Sequence, residues 1–183
     1  MLLQNISVLL VNNISKVKEL CCWKPPAVGS LKLNVDGAMF FDRHKAGIGA
    51  VLRDDKGDVV LAASKIEYEV NELEDIELLA MFGGIQICAN MGIRRLILES
   101  ARLLMVNEVN ASEASFSLLG NLVREVKMLK ALFEVCLVQH VDRAGNEVAH
   151  KLVRNAWNVE NLDMWWENLP EFVIQAVWLD KNL

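Results

Sequence analysis

The sequence predicts a mixed α/β fold, one sheet with helices on its faces, and three observations carry that prediction. Three strand patterns follow one another between residues 31 and 66 with only short turns between them. A long, mostly apolar helical pattern begins at Glu72, and strand and helix patterns then alternate as far as Trp157. Strands in direct succession pair antiparallel, whereas strands separated by helices need crossovers and pair in parallel. The order three strands, helix, strand, helices, strand, helix therefore calls for a five-stranded mixed sheet of three antiparallel strands and two parallel additions.

The elements follow in order. Residues 1–22 read as an amphipathic N-terminal extension, ended at Trp23-Lys-Pro-Pro26 because two consecutive prolines cannot continue a helix. Residues 23–157 read as the domain. Leu31, Leu33 and Val35 alternate with Lys32, Asn34 and Asp36, the period of a half-buried strand, over Leu31 to Phe40. Gly47 to Arg53 and Val59 to Ile66 are the next two strands, and Asp54-Asp-Lys-Gly57 is the tight hairpin between them. The helix from Glu72 to Met91 is capped by Gly92. Arg94 to Glu99 is short and nearly continuously apolar, as in strands buried on both faces. Helices are expected from Arg102 to Val109 and from Leu118 to Leu132, the second with Arg124, Glu125, Lys127 and Lys130 on its wet side. Phe133 to Val141 is the fifth strand and Asn146 to Trp157 the next helix. Residues 158–183 form a tail whose Trp165, Trp166, Phe172 and Trp178 are expected to pack on the domain.

Composition narrows the class. A chain of 183 residues with 53% hydrophobic content fills one core. Its formal net charge of −5 gives no global attraction to nucleic acid or an anionic membrane, so a polyanion would have to be held by a local patch or by bound cations. Cys21, Cys22, Cys88 and Cys136 form no C-x-x-C pair and lie in apolar surroundings, which suggests neither a zinc site nor a disulfide framework. Residues 1–22 lack a basic start and a small-residue cleavage site, and no run approaches the roughly 18 apolar residues of a membrane span. An intracellular monomer, cytoplasmic or nuclear and neither secreted nor membrane-bound, is expected.

Two carboxylates stand out. Asp36 lies on the polar face of the first strand, and Gly37 and Ala38 after it leave room for a metal ion, a phosphate or another backbone. Glu77 is the sole charged side chain between Ile76 and Met91 and shares a helical face with Leu73, Ala80 and Gly84, the face that packs on the sheet. It is either an acid at the helix margin reaching water or a metal ligand aimed at Asp36, since a buried acid is costly unless something pairs with it.

These residues carry a family resemblance. Asn34-Val-Asp-Gly-Ala38 with Ala46-Gly-Ile-Gly49, Glu77-Leu-Leu-Ala80 with Gly84, Ile93-Arg-Arg-Leu-Ile-Leu-Glu-Ser100, and His140-Val-Asp-Arg143 with Asn146 and Ala149-His150 together resemble a ribonuclease H domain of the plant, retroelement-derived, reverse-transcriptase-like branch. The resemblance spans roughly residues 23–157. It implies the RNase H-like fold and a site that cleaves the RNA strand of an RNA–DNA hybrid with two magnesium ions, one activating water and one stabilising the leaving oxygen. Such a site uses four carboxylates, because two hard dications need oxygen ligands and charge compensation. Asp36 and Glu77 match the first two acids and are the implied metal ligands.

The other two acids are replaced. The third position is Ala101, after Glu99-Ser100, and the fourth is His150, whose imidazole suits softer metals better than magnesium. Glu99 and Glu147 are the nearest alternative oxygen donors. His140 matches a loop histidine implied to assist proton transfer or product release. Gly37, Ala38, Arg143 and Asn146 are the implied nucleic-acid contacts, and Arg94, Arg95, Lys151 and Arg154 are either further phosphate contacts or solvated surface. Magnesium, or manganese, is expected to bind weakly or not at all. Three functions follow: a hybrid ribonuclease impaired by Ala101, a binding module for hybrid or other nucleic acid, and a protein-interaction module suggested by the acidic balance and the aromatic tail.

Overall fold

The computed structural model describes residues 22–41, 44–68, 70, 72–112, 119–166 and 168–182. The N-terminal extension read over residues 1–22 therefore lies, but for Cys22, outside the described residues, as does Leu118 at the expected start of a helix.

The first strand forms over its expected range, β1 (Leu31–Phe40), paired antiparallel with β2 (Lys45–Arg53), which pairs antiparallel with β3 (Val59–Tyr68). It is buried on both faces rather than one, since Lys32 and Asn34 are covered as well as Leu33 and Val35. Asp54 makes the hairpin between β2 and β3: its Oδ1 accepts the N–H groups of Lys56 (2.9 Å) and Asp58 (2.8 Å), and Gly57 takes the positive φ of 79° that closes the turn. Helix α1 (Leu73–Asn90) ends at Gly92, whose φ of 72° is the left-handed cap expected there. Then come β4 (Arg95–Ser100), α2 (Leu103–Asn110), α3 (Gly120–Lys130), β5 (Val135–His140) and α4 (Glu147–Asn155), with β4 parallel to both β1 and β5.

The tail corrects the strand count. Leu162–Trp165 forms β6, paired antiparallel with β3, and Glu171–Asn182 forms α5, so the sheet has six strands in the order β5-β4-β1-β2-β3-β6, not five. Four residues satisfy a free edge of β3 and place α5 beside α4.

Two cores flank the sheet. Leu33, Val35 and Leu98 face Ile76, Met81 and Ile85 of α1, with Val123 and Val126 of α3 behind them. On the other face Val51 and Ala62 meet Val148 and Leu152 of α4 and Val173 and Val177 of α5. That second interface is tight because Gly49 has no side chain: a Cβ there would stand 2.2 Å from the Ala149 carbonyl oxygen and 2.4 Å from the Val153 nitrogen. Among the described residues Cys22, Cys88 and Cys136 are unpaired, and no helix is long and apolar enough to cross a membrane.

Candidate active site

Parallel strands β1, β4 and β5 end together, and the cleft beyond their C-terminal ends is where an open α/β sheet offers a site. Val35 stands opposite Ser100 and Ser100 opposite His140, so Asp36, Ala101 and His140 emerge side by side at that edge. The cleft holds about 380 Å3 and is lined by Asp36, Gly37, Ala38, Glu77, Ala101, His140, Arg143, Asn146 and His150.

Gly37 sets the distance between the two acids. A Cβ at Gly37 would lie 2.9 Å from both the Glu77 nitrogen and the Ile76 carbonyl carbon, so the bare backbone of β1 lets the first turn of α1 rest directly on it. Glu77 is thereby lowered beside Asp36, with only 6% of its surface exposed. Its Oε2 is buried and has no hydrogen-bond partner. Burial, reinforced by the neighbouring Asp36 carboxylate, pushes the Glu77 carboxyl up to about 8. Glu77 therefore does not reach water at the helix margin: it is buried, close enough to Asp36 for the two charges to act on each other.

Asp36 is also raised by burial, against the lowering pull of His150 and Arg143. Its Oδ2 lies 2.9 Å from His150 Nδ1, and His150 Nε2 lies 3.2 Å from an Arg143 Nη2. A guanidinium can only donate, so Nε2 accepts and Nδ1 carries the proton that Asp36 receives as a hydrogen bond. Both ring nitrogens are engaged in this way. His150 therefore stands at the edge of the site as a partner of Asp36, with no lone pair left for a metal.

Other candidate residues have partners within the fold. Asn146, expected to touch nucleic acid, is 1% exposed, and its Nδ2 donates to the Val35 carbonyl (2.9 Å), so it pins α4 to β1. Glu99, a candidate replacement ligand, is buried and accepts from Lys32 Nζ (2.7 Å), Asn34 Nδ2 (2.9 Å) and Gln139 Nε2 (2.7 Å). Glu147 lies on the outer face of α4, 3.6 Å from Lys151. Neither glutamate lines the cleft. Arg94 and Arg95 sit at the far end of β4, Arg94 paired with Glu134. Conversely, Arg102 and Asp142 line the cleft without having been singled out in the sequence. Arg102 is held by an ion pair to Glu74 on α1, a partner 28 residues away that no local pattern announces.

The donor set fits one divalent cation and not two. The unpartnered Oε2 of Glu77 beside the Asp36 carboxylate is an environment that a cation would relieve. Among the described residues, however, no group of three or more His, Cys, Asp or Glu side chains is placed to hold a metal, and Ala101 contributes only a methyl group. Two dications without further anionic ligands would repel one another.

Residues 34–156 match the family described as reverse transcriptase-like. The fold is similar to RNase H1 from the halophilic archaeon Halobacterium salinarum (21% identity, TM-score 0.65, covering 70% of this chain and 98% of that one). It is also similar to the N-terminal RNase H domain of a Mycobacterium tuberculosis protein (19%, TM-score 0.64, covering 70% and 94%). A third similar structure is the compost-derived LC11 RNase H1 in complex with an RNA/DNA hybrid (18%, TM-score 0.61, covering 70% and 97%). No protein with a curated description matches the sequence.

Proposed function

We propose that the chain, which belongs to the reverse transcriptase-like family, is an RNase H-type domain that binds RNA–DNA hybrid and hydrolyses it weakly or not at all. One observation carries this reading: Ala101 and His150 stand in the same cleft as Asp36 and Glu77, and both nitrogens of His150 are already engaged. The hybrid bound to the compost enzyme of the same fold supports the choice of ligand. The ordered motifs from Asn34 to His150 support the plant, retroelement-derived branch, and the unpaired cysteines accord with an intracellular location.

In this reading the cleft grips backbone phosphate with Arg143 and Arg102 at its rim, while Gly37 and Ala38 let the strand come close to β1. Asp36 and Glu77 would hold one magnesium or manganese ion weakly. Such an ion supplies electrostatic stabilisation to a phosphodiester transition state when bound. His140, exposed at the end of β5, is within the cleft for proton transfer to a leaving group.

The test is restoration. Ala101→Asp should raise magnesium-dependent cleavage of a labelled hybrid from its low starting level by at least about ten-fold, since one positioned ion is worth several kcal/mol to the transition state. His150→Asp should add to it non-additively, because the two changes complete one site. Robust cleavage by the unmodified chain, abolished by Asp36→Asn, would show a working nuclease instead. Binding without cleavage in the doubly restored protein would place the loss beyond the metal ligands.

A further inference from the structure

We propose that the outer face of α4, with Phe172 of α5, is an accessory site for a single-stranded nucleic-acid flank leaving the cleft. A groove of about 450 Å3 runs there, lined by Lys151, Arg154, Asn155, Asn158 and Phe172, with His150 and the carboxylate of Glu147 at the α4 end. His150 is a wall of both this groove and the cleft, so a strand held at the cleft continues into the groove without leaving the surface.

The spacing explains why these side chains converge. Residues 150, 151, 154, 155 and 158 recur at three and four, which places them on one helical face extended by the 3-10 turn Ala156–Asn158. The rise of a helix puts Arg154 about 6 Å along the axis from His150. Arg154 is exposed and carries no ion pair among the described residues. Lys151 faces Glu147 at 3.6 Å, a half-exposed pairing weak enough for a phosphate to replace.

The chemistry selects the ligand. Lys151 and Arg154 supply phosphate contacts, and the amides of Asn155 and Asn158 offer both donors and acceptors to base edges. Phe172 is 40% exposed, and its ring is set edge-on to Trp165 at 6.3 Å and 82°, which holds it in place as a stacking platform. Within a duplex each base face is covered by its neighbours, so a surface aromatic ring stacks most readily on unpaired bases, and cations beside a fixed ring favour a single strand over a duplex.

The inference rests on the hybrid-binding reading, and the experiment separates the two. Anisotropy would compare a blunt hybrid with hybrids carrying short overhangs, 5′ or 3′, of RNA or of DNA. The expected result is that at least one overhang tightens binding roughly ten-fold. The double variant Lys151→Glu/Arg154→Glu should abolish that gain and leave blunt-hybrid binding unchanged. It should also lower the magnitude of the overhang's salt slope by about 1.4, the value for two single-strand phosphate contacts. Phe172→Ala should remove at least about five-fold of the gain. Should blunt hybrid bind with no gain from any overhang, or with a gain that survives in the double variant, the accessory site is wrong and the hybrid-binding reading stands. Failure of the blunt and overhanging hybrids alike to bind overturns both.

Discussion

Glu77 carries a consequence that can be read in solution. An isolated glutamate titrates near 4.5, but in the folded chain burial and the Asp36 carboxylate push it to about 8. Between those values the folded state holds a proton that the unfolded state has released. Stability from this group is therefore complete below about pH 4.5 and is lost as pH rises toward 8, by up to about 1.4 kcal/mol per pH unit within the window. Asp36, also raised by burial, acts in the same direction from its own ordinary value upward. Urea unfolding in a metal chelator should show stability falling across pH 5 to 8, and Glu77→Gln should flatten most of that slope. An unchanged slope in the variant would mean that water reaches the carboxylate. The two acids were legible because each broke a local pattern, Asp36 as a carboxylate on an alternating strand and Glu77 as the one charge in the apolar run from Ile76 to Met91. Glu99 and Asn146 were not legible in the same way. Their partners, Lys32, Asn34 and Gln139 for one and the Val35 carbonyl for the other, are brought to them only by the pairing of strands and the docking of α4.

Between elements, the same logic governs the tail. The strands and helices from Leu31 to Asn155 follow their periodicities to within a few residues, whereas β6 was hidden because four residues give alternation too little room to register. What fixes the tail is a buried polar chain that begins in β1. Trp23 Nε1 and an Arg53 Nη2 both donate to Asn34 Oδ1 at 2.9 Å, and the Arg53 guanidinium stacks 3.8 Å from the Trp23 ring. The other Nη of Arg53 reaches Asp180 Oδ2 of α5 at 2.5 Å. Arg53 is 1% exposed, so Asp180 is its principal counter-charge, and burial lowers the one pKa while raising the other. Asp180→Ala should therefore cost about 3–5 kcal/mol in denaturant unfolding, since it leaves a buried cation without its carboxylate. Adding Arg53→Met should recover part of that loss by removing the orphaned charge. A cost below about 1 kcal/mol for the single variant would show that α5 lifts and water solvates Arg53, which hydrogen exchange of the α5 amides would register directly.

Over the whole molecule the question is how a chain of net charge −5, with 24 acidic against 19 basic side chains, could hold a polyanion. Fold alone does not answer it, since one architecture hosts many functions and the site must carry the argument. The answer offered by the surface is local: Arg102 and Arg143 rim the cleft, and Lys151 and Arg154 line the groove that continues from it. Asp142 lines the cleft and Glu147 the groove, but acidic side chains away from these two sites act only through a field that physiological salt screens within about 8 Å. The two cleft contacts predict a slope of log affinity against log salt of about −1.8 for a blunt hybrid, so raising salt from about 50 to 200 mM should weaken its binding by roughly ten-fold, and the two groove contacts should steepen the slope to about −3 for a hybrid with an overhang. Arg143→Ala should reduce the magnitude of that slope by about one. The rival, a protein-interaction module, has its own surface in the exposed Trp166 and Trp178 of the tail. It predicts the opposite behaviour, because apolar association is insensitive to this range of salt. A slope near zero, or hybrid binding indifferent to Arg143→Ala, would move the function from the cleft to that aromatic face.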